Sequence, residues 1–132
     1  MNSIARRINL TPVSPQPKPA ANDKVIIKTT DYVEIIPAWE ISHVEAESNY
    51  CTFVLLNGNK ITASKTIGTY EKILLANNFI RPHRSFFVSI QQIRRVRKLP
   101  YYAICTLQGA EIPISRARRI EVLDELISAY EA

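Results

Sequence analysis

The side chains best suited to binding chemistry in this sequence are arginines in its second half. Residues 79–119 carry eight Arg and one Lys against a single acid, Glu111, so this stretch has a net charge of +8 and the other 91 residues sum to −3. An Arg side chain matches phosphate oxygens and the major-groove edge of guanine. The segregation favours a polyanion-binding face, and a solvated surface balanced by acids from elsewhere in the fold is the alternative.

Other kinds of chemistry lack a matching set of residues. His83 has no nucleophile or carboxylate at a recognisable spacing. Cys51 and Cys105 lie 54 residues apart among apolar neighbours, so we expect buried free thiols in a reducing cytoplasm. No Gly-rich phosphate loop or zinc spacing is present. We therefore expect no enzymatic activity, no metal and no cofactor.

Short strands must position the arginines. From Lys24 onward, short apolar runs are separated by turn residues, and Asn57-Gly58 is the strongest hairpin signal among them. The predicted strands are Val25–Ile27, Tyr32–Ile36, Ser42–Ala46, Cys51–Leu56, Lys60–Ser64, Phe79–Arg81, Ile93–Arg97, Tyr101–Leu107 and Glu111–Ile114.

Two helices are predicted between and after these strands. Thr66 is a candidate N-cap for a helix over residues 67–76, and Ser115 for a last helix over residues 116–129. The apolar stripe expected to bury that last helix is Ile120, Leu123, Ile127 and Tyr130.

The chain divides into a tail and one domain. Four prolines within residues 11–22 predict a flexible tail or linker over residues 1–23, followed by a mainly β domain over residues 24–132. Within that domain we expect Ala38-Trp39-Glu40 to make one helical turn, Trp39 and Ile41 to pack in the core, and His43 to lie on a strand surface. The start of the sequence is unlike a secretory signal, and apolar runs are too short to span a membrane, so we expect a cytoplasmic protein.

Three segments give the sequence its most specific signal. They are residues 43–50 (HVEAESNY), 79–89 (FIRPHRSFFVS) and 112–116 (IPISR). In this order and spacing they resemble the LytTR-type DNA-binding domain, commonly the output half of bacterial response regulators, over roughly residues 24–130. One departure is Ser89, where the family usually has Asn.

The resemblance implies an elongated stack of small antiparallel β-sheets that places loop residues into successive major grooves of DNA. The implied base contacts are Asn49, Tyr50, Arg84 and Arg116. Arg116 follows Ser115 at a helix start, where it can instead position a phosphate. Candidate phosphate contacts are Lys65, Arg81, Arg118 and Arg119, while His83 and Ser85 have structural roles. The cluster Arg94, Arg95, Arg97 and Lys98 is either a solvated strand edge or a further DNA contact.

These observations predict a sequence-specific double-stranded DNA-binding transcription regulator. The resemblance further implies paired direct repeats, a homodimer on DNA, and a receiver domain or sensor kinase upstream. The alternatives are an RNA or single-strand binder that stacks bases on aromatic pairs such as Tyr101-Tyr102 or Phe86-Phe87, and a protein-interaction signalling adaptor.

Overall fold

The structure, a computed structural model, describes residues 23–131, which form ten β-strands and two α-helices. The strands are β1 Lys24–Lys28, β2 Val33–Pro37, β3 Ile41–Glu47, β4 Tyr50–Leu55, β5 Lys60–Ala63, β6 Phe79–His83, β7 Phe86–Ser89, β8 Ile93–Arg97, β9 Ala103–Thr106 and β10 Glu111–Pro113. The helices are α1 Glu71–Leu75 and α2 Arg119–Glu131, and short 3-10 turns cover Ala38–Glu40, Ile67–Tyr70, Ile90–Gln92 and Arg116–Arg118. The predicted mainly β class is confirmed, whereas the tail prediction for residues 1–22 lies outside the described residues.

The strands form three antiparallel sheets. A central sheet has the order β5-β4-β3-β7-β6, β1 pairs with β2, and β8 to β10 form a sheet in the order β10-β9-β8. The hairpin predicted at Asn57-Gly58 is confirmed: Gly58 has φ 92°, a region that glycine enters without steric cost, and Leu55 N–H donates to the Asn59 carbonyl at 2.8 Å.

The central sheet is covered on both faces. Val44 pairs with Phe87, and both belong to a core formed with β1 and α1. One residue along, His43 pairs with Val88, which belongs to a second core formed with β9, β10 and α2. Because successive side chains on a strand point to opposite faces, the two cores alternate along β3 and β7.

This double coverage makes the prediction of a surface position for His43 wrong. His43 is only 5% exposed, and its imidazole nitrogens contact Ser42 Oγ at 3.2 Å and Glu45 Oε2 at 3.1 Å. Ser42 Oγ in turn donates to Gln108 Oε1 at 3.1 Å and so links the central sheet to the β9–β10 turn. Burial lowers the pKa of His43, against the opposing effect of Glu45.

Trp39 also differs from expectation. Ile41 is buried as predicted, but Trp39 is 54% exposed, because the 3-10 turn at residues 38–40 directs Ala38 to the core instead. Both thiols are free as predicted, but only Cys51 is buried; the prediction of burial is wrong for Cys105, which is half-buried.

The helices form near the predicted positions but differ in detail. The single helix expected over residues 67–76 is a 3-10 turn followed by α1, and neither Thr66 nor Ser115 makes a side-chain cap. On α2 the predicted stripe is wrong: Val122 and Leu126 are buried, whereas Ile120 is 76% exposed. The centres of the two stripes lie roughly 100° apart on a helix with 3.6 residues per turn, and packing against the second core selects Val122 and Leu126.

Candidate nucleic-acid interface

Two hairpin turns lie side by side at one end of the central sheet. Ser48 and Asn49 connect β3 to β4, with Ser48 in a left-handed conformation at φ 53°, and Arg84 and Ser85 connect β6 to β7. Because β3 pairs with both β4 and β7, the two turns share the same end. Ala46 N–H donates to the Ser85 carbonyl at 2.8 Å, which fixes one turn against the other.

A third segment joins this end from far along the sequence. Ser115 N–H donates to the Pro82 carbonyl at 2.9 Å, and this bond sets the start of the Arg116–Arg118 turn beside β6. Arg116 is exposed there, as are Arg84 and Asn49. The structure therefore brings together the three regions proposed from sequence as base contacts, and we call this set of turns the loop end.

Two lysines flank the loop end on the β5 side. Cys51, next to the first turn, pairs with Ala63, so Lys65 follows β5 at the same end of the sheet. Ser64 N–H donates to the Lys28 carbonyl at 2.9 Å, which places the end of β1 there as well. Both Lys65 and Lys28 are exposed. The sequence analysis did not single out Lys28, because only the tertiary contact between β1 and β5 places it at this end of the central sheet.

The backbone of the Arg84 turn is held by side chains of β6. Arg81 forms an ion pair with Glu71, donates from Nη2 to the Arg84 carbonyl at 2.6 Å, and lies 5.0 Å from the Phe87 ring centroid. His83 Nδ1 accepts a hydrogen bond from Ser85 N–H at 3.1 Å. These contacts order the turn while the Arg84 side chain itself stays exposed to solvent.

The remaining candidate phosphate contacts are partly engaged within the chain. Arg118 Nη1 donates to the Arg81 carbonyl at 3.1 Å, and the Arg119 guanidinium lies 4.3 Å from the Tyr102 ring centroid. Both are half-buried. Like Arg81, they have intramolecular contacts that a phosphate has to share or displace.

Tyr50 at the first turn carries an acidic partner that sequence reasoning did not single out. Tyr50 Oη donates to Glu47 Oε1 at 3.2 Å, and Thr52 Oγ1 donates to Glu47 Oε2 at 3.2 Å. Glu47 is exposed. A carboxylate can accept a hydrogen bond from cytosine N4 but repels phosphate, so Glu47 makes the first turn less attractive to a phosphate than the Arg84 turn.

The basic cluster on β8 belongs to the other sheet. β8 is an edge strand, with Arg94 and Arg95 exposed along it. Arg97 pairs with Glu111 at 2.8 Å and lies 4.7 Å from the Tyr101 ring centroid. Hydrogen bonding to Tyr101 and the Glu111 carboxylate raise the pKa of Arg97.

The aromatic pairs considered for base stacking differ in accessibility. Phe87 is fully buried and Phe86 half-buried, so this pair lacks an open stacking surface. Tyr101 is 58% exposed, but Arg97 lies over its ring. Among residues 23–131, no helix combines the length and apolarity that crossing a membrane requires.

Comparisons with known proteins agree with this geometry. A sequence model of the LytTr DNA-binding domain matches residues 31–127. Among solved structures, the chain is similar to a LytTr DNA-binding domain from Bacillus cereus whose name describes a methyl-accepting/DNA response regulator, with 22% identity and a TM-score of 0.66 over 80% of this chain and 96% of that one. No curated protein matches the sequence. Since the family match spans most of the chain and the fold is the same, the chain belongs to the LytTR family of DNA-binding domains.

Proposed function

We propose that this protein is a sequence-specific, double-stranded DNA-binding transcription regulator that acts as the output domain of a cytoplasmic two-component response regulator. The observation that carries the proposal is the loop end, where two backbone hydrogen bonds bring Asn49, Arg84 and Arg116 to one end of a β scaffold. Exposed side chains on rigid turns, rather than a recognition helix, then reach the base edges.

The residues have distinct roles in this proposal. Arg84 and Arg116 read guanine O6 and N7 or position the adjacent phosphate, and Asn49 and Tyr50 contact DNA from the neighbouring turn. Lys65 and Lys28 neutralise phosphates at the β5 side. His83, Ser85 and the Arg81–Glu71 pair hold the Arg84 turn, so Arg81 has a supporting role in addition to any phosphate contact.

Regulation extends beyond this domain. A receiver domain or sensor kinase acts upstream, and the output domain binds paired direct repeats with two copies on one face of the duplex. The name of the similar Bacillus cereus protein, a response regulator, supports this arrangement. A net charge of +5, concentrated in residues 79–119, supplies the electrostatic attraction to DNA.

The test is selection of binding sites from a pool of random duplexes, followed by fluorescence anisotropy at several salt concentrations. A selected duplex and a scrambled control are compared. We expect the selected duplex to bind at least roughly tenfold tighter, with log affinity falling linearly with log salt concentration. Equal, weak binding of both duplexes would contradict sequence reading, and tighter binding of oligo-dT than of any duplex would instead favour the single-strand alternative.

A further inference from the structure

The outward face of the β1–β2 hairpin is apolar and exposed. Ile26 pairs directly with Ile35, and these side chains are 53% and 60% exposed, beside Val33 at 62%. Val25 and Ile27 alternate with Ile26 and are completely buried. The outward positions of β1 also include Lys24 and Lys28, both exposed. We call the surface formed by Lys24, Ile26, Lys28, Val33 and Ile35 the hairpin face.

A second exposed apolar surface runs along α2. Ile120, Ile127 and Tyr130 are 76%, 52% and 63% exposed, and Leu123 is half-buried. Their spacing of three, four and three residues is the spacing of a seam that packs against another element. Asp124 and Glu131 lie one turn beyond Ile120 and Ile127 on the same side of the helix. We call the surface formed by these six residues the helix stripe.

The two surfaces lie on opposite sides of the central sheet. β1 belongs to the core on one face and contacts the edge strand β5, whereas α2 belongs to the core on the other face and contacts the opposite edge strand β6. The two surfaces also run in the same direction relative to the loop end. β1 reaches the loop end at Lys28, so Lys24 lies away from it. Tyr130 Oη donates to the Ile90 carbonyl, beyond the far end of β7, at 2.6 Å, so Glu131 also lies away from the loop end.

The charges on the helix stripe and the hairpin face favour contact between the two different surfaces over contact between two copies of the same surface. After Arg119, α2 carries four acids (Glu121, Asp124, Glu125 and Glu131) and no Lys or Arg, so two copies of the helix stripe repel. Two copies of the hairpin face repel through their lysines. A helix stripe facing a hairpin face instead joins apolar side chains and places acids near lysines. Complementary charge sets the partner and orientation of such contacts.

We propose that the helix stripe of one copy docks on the hairpin face of the next copy when two copies bind DNA side by side. The proposal rests on the proposed function, because direct repeats present both copies in the same orientation and a contact between them must then join two different surfaces. Lys24–Lys28 and Tyr130 lie outside residues 31–127, so the contact uses residues beyond the family match. We expect this contact to act as cooperativity between copies on DNA and not as a stable dimer in solution.

The test measures binding of the full chain to duplexes that contain the selected half-site once or twice in the same orientation. The spacing is varied in single base pairs over about one helical turn of 10.5 bp. We expect cooperativity of at least roughly fivefold at the favoured spacing, and Ile127→Asp should reduce it to about onefold while leaving single half-site affinity unchanged. Leu107→Asp is the matched control, because Leu107 is 57% exposed on the β9–β10 turn, and it should retain cooperativity.

Charge-reversal variants test whether the helix stripe is the surface that docks on the hairpin face. Lys24→Glu and Glu131→Lys should each lower cooperativity, and the two together in one chain should restore it, since every head-to-tail contact regains opposite charges. If Lys24→Glu leaves cooperativity unchanged, the hairpin face does not contact the next copy and the inference is wrong. Cooperativity would then come from another contact, such as pairing of two α2 helices. If the wild-type chain binds a single half-site specifically but shows no cooperativity on two half-sites, this inference is wrong and the proposed function stands. If the wild-type chain does not bind a single half-site specifically, the proposed function is wrong.

Discussion

The backbone N–H of Ser115 donates a hydrogen bond to the carbonyl oxygen of Pro82 at 2.9 Å. This bond joins the start of the last helical turn to the strand that leads into the Arg84 turn. Arg118 Nη1 adds a second link, to the Arg81 carbonyl at 3.1 Å. These two bonds hold the Arg84 turn and the Arg116 turn next to each other on one surface of the domain.

Replacing Arg84 with Ala should remove base reading. We expect selected DNA to bind more weakly by about 1–3 kcal/mol, while scrambled DNA loses far less, because a bidentate contact to guanine discriminates between bases. Anisotropy titrations on both duplexes measure the difference. Arg94→Ala is the matched control, since Arg94 is an exposed arginine on the edge strand β8. Equal losses on the two duplexes would remove the base-reading role from Arg84.

Replacing Arg81 with Ala should destabilise the fold as well as weaken DNA binding. The Arg81 side chain is 19% exposed and bonds both Glu71 and the Arg84 carbonyl, so we expect a loss of about 1–3 kcal/mol in the free energy of unfolding by urea. Arg95→Ala, at an exposed position, should stay within about 0.5 kcal/mol. The slope of log affinity against log salt separates the roles: a supporting Arg81 leaves it unchanged, and a phosphate contact lowers its magnitude by about 0.9.

His43 should make folding stability fall in mild acid. Burial, the largest cause, lowers its pKa below 6.5 in the folded protein; the unfolded chain therefore takes up a proton first as pH falls below about 6.5. Stability from this group is fully present above pH 6.5 and is lost as pH falls towards the folded pKa, at up to about 1.4 kcal/mol per pH unit.

Urea unfolding of the wild type and of His43→Gln, at pH 7.5 and pH 5.5, isolates this effect. The wild type should lose more stability between the two pH values than His43→Gln does. An equal or smaller loss in the wild type would show that the His43 imidazole is not held neutral by burial. Absolute stabilities of the two proteins need not match, because only the change with pH is compared.

The two thiols should react at very different rates. Burial raises the pKa of Cys51 to about 11, so about one Cys51 thiol in a thousand is ionised at pH 8, and the thiolate is the reactive form. Cys105 is half-buried. Iodoacetamide at pH 8 should therefore alkylate Cys105 first, as followed by intact mass and peptide mapping. Cys105→Ser should stay unlabelled until urea is added, and rapid labelling of that variant would contradict burial of Cys51.

Local sequence signals were sufficient for most of the strands and turns. Asn57-Gly58 specifies a hairpin because glycine enters the left-handed region without steric cost, and Gly58 does so at φ 92°. Pro82 keeps Arg81 extended, and β6 forms there. The mainly β class, the two helical regions and the order of the elements follow from such signals, because each depends only on neighbours within a few residues.

The predictions were wrong where the sequence pattern is compatible with burial of either of two faces. Two apolar stripes occur on α2, and the one with the better seam spacing is the one left exposed, since Val122 and Leu126 pack against the second core. A surface position for His43 is another wrong prediction, because β3 is covered on both faces. Burial depends on which element covers a face, and that element can lie far away in sequence.

Sequence patterns alone establish the mainly β fold class, the concentration of basic residues in 79–119 and the residue types offered for DNA binding. Long-range packing settles which of these side chains share one end of the central sheet. Arg84 and Arg116 share it because of the Ser115–Pro82 bond, Lys28 reaches the same end through the Ser64–Lys28 bond, and Arg81 bonds Glu71 and the Arg84 carbonyl. Propensities and turn chemistry act within a few residues, whereas these contacts form only when segments distant along the chain pack together.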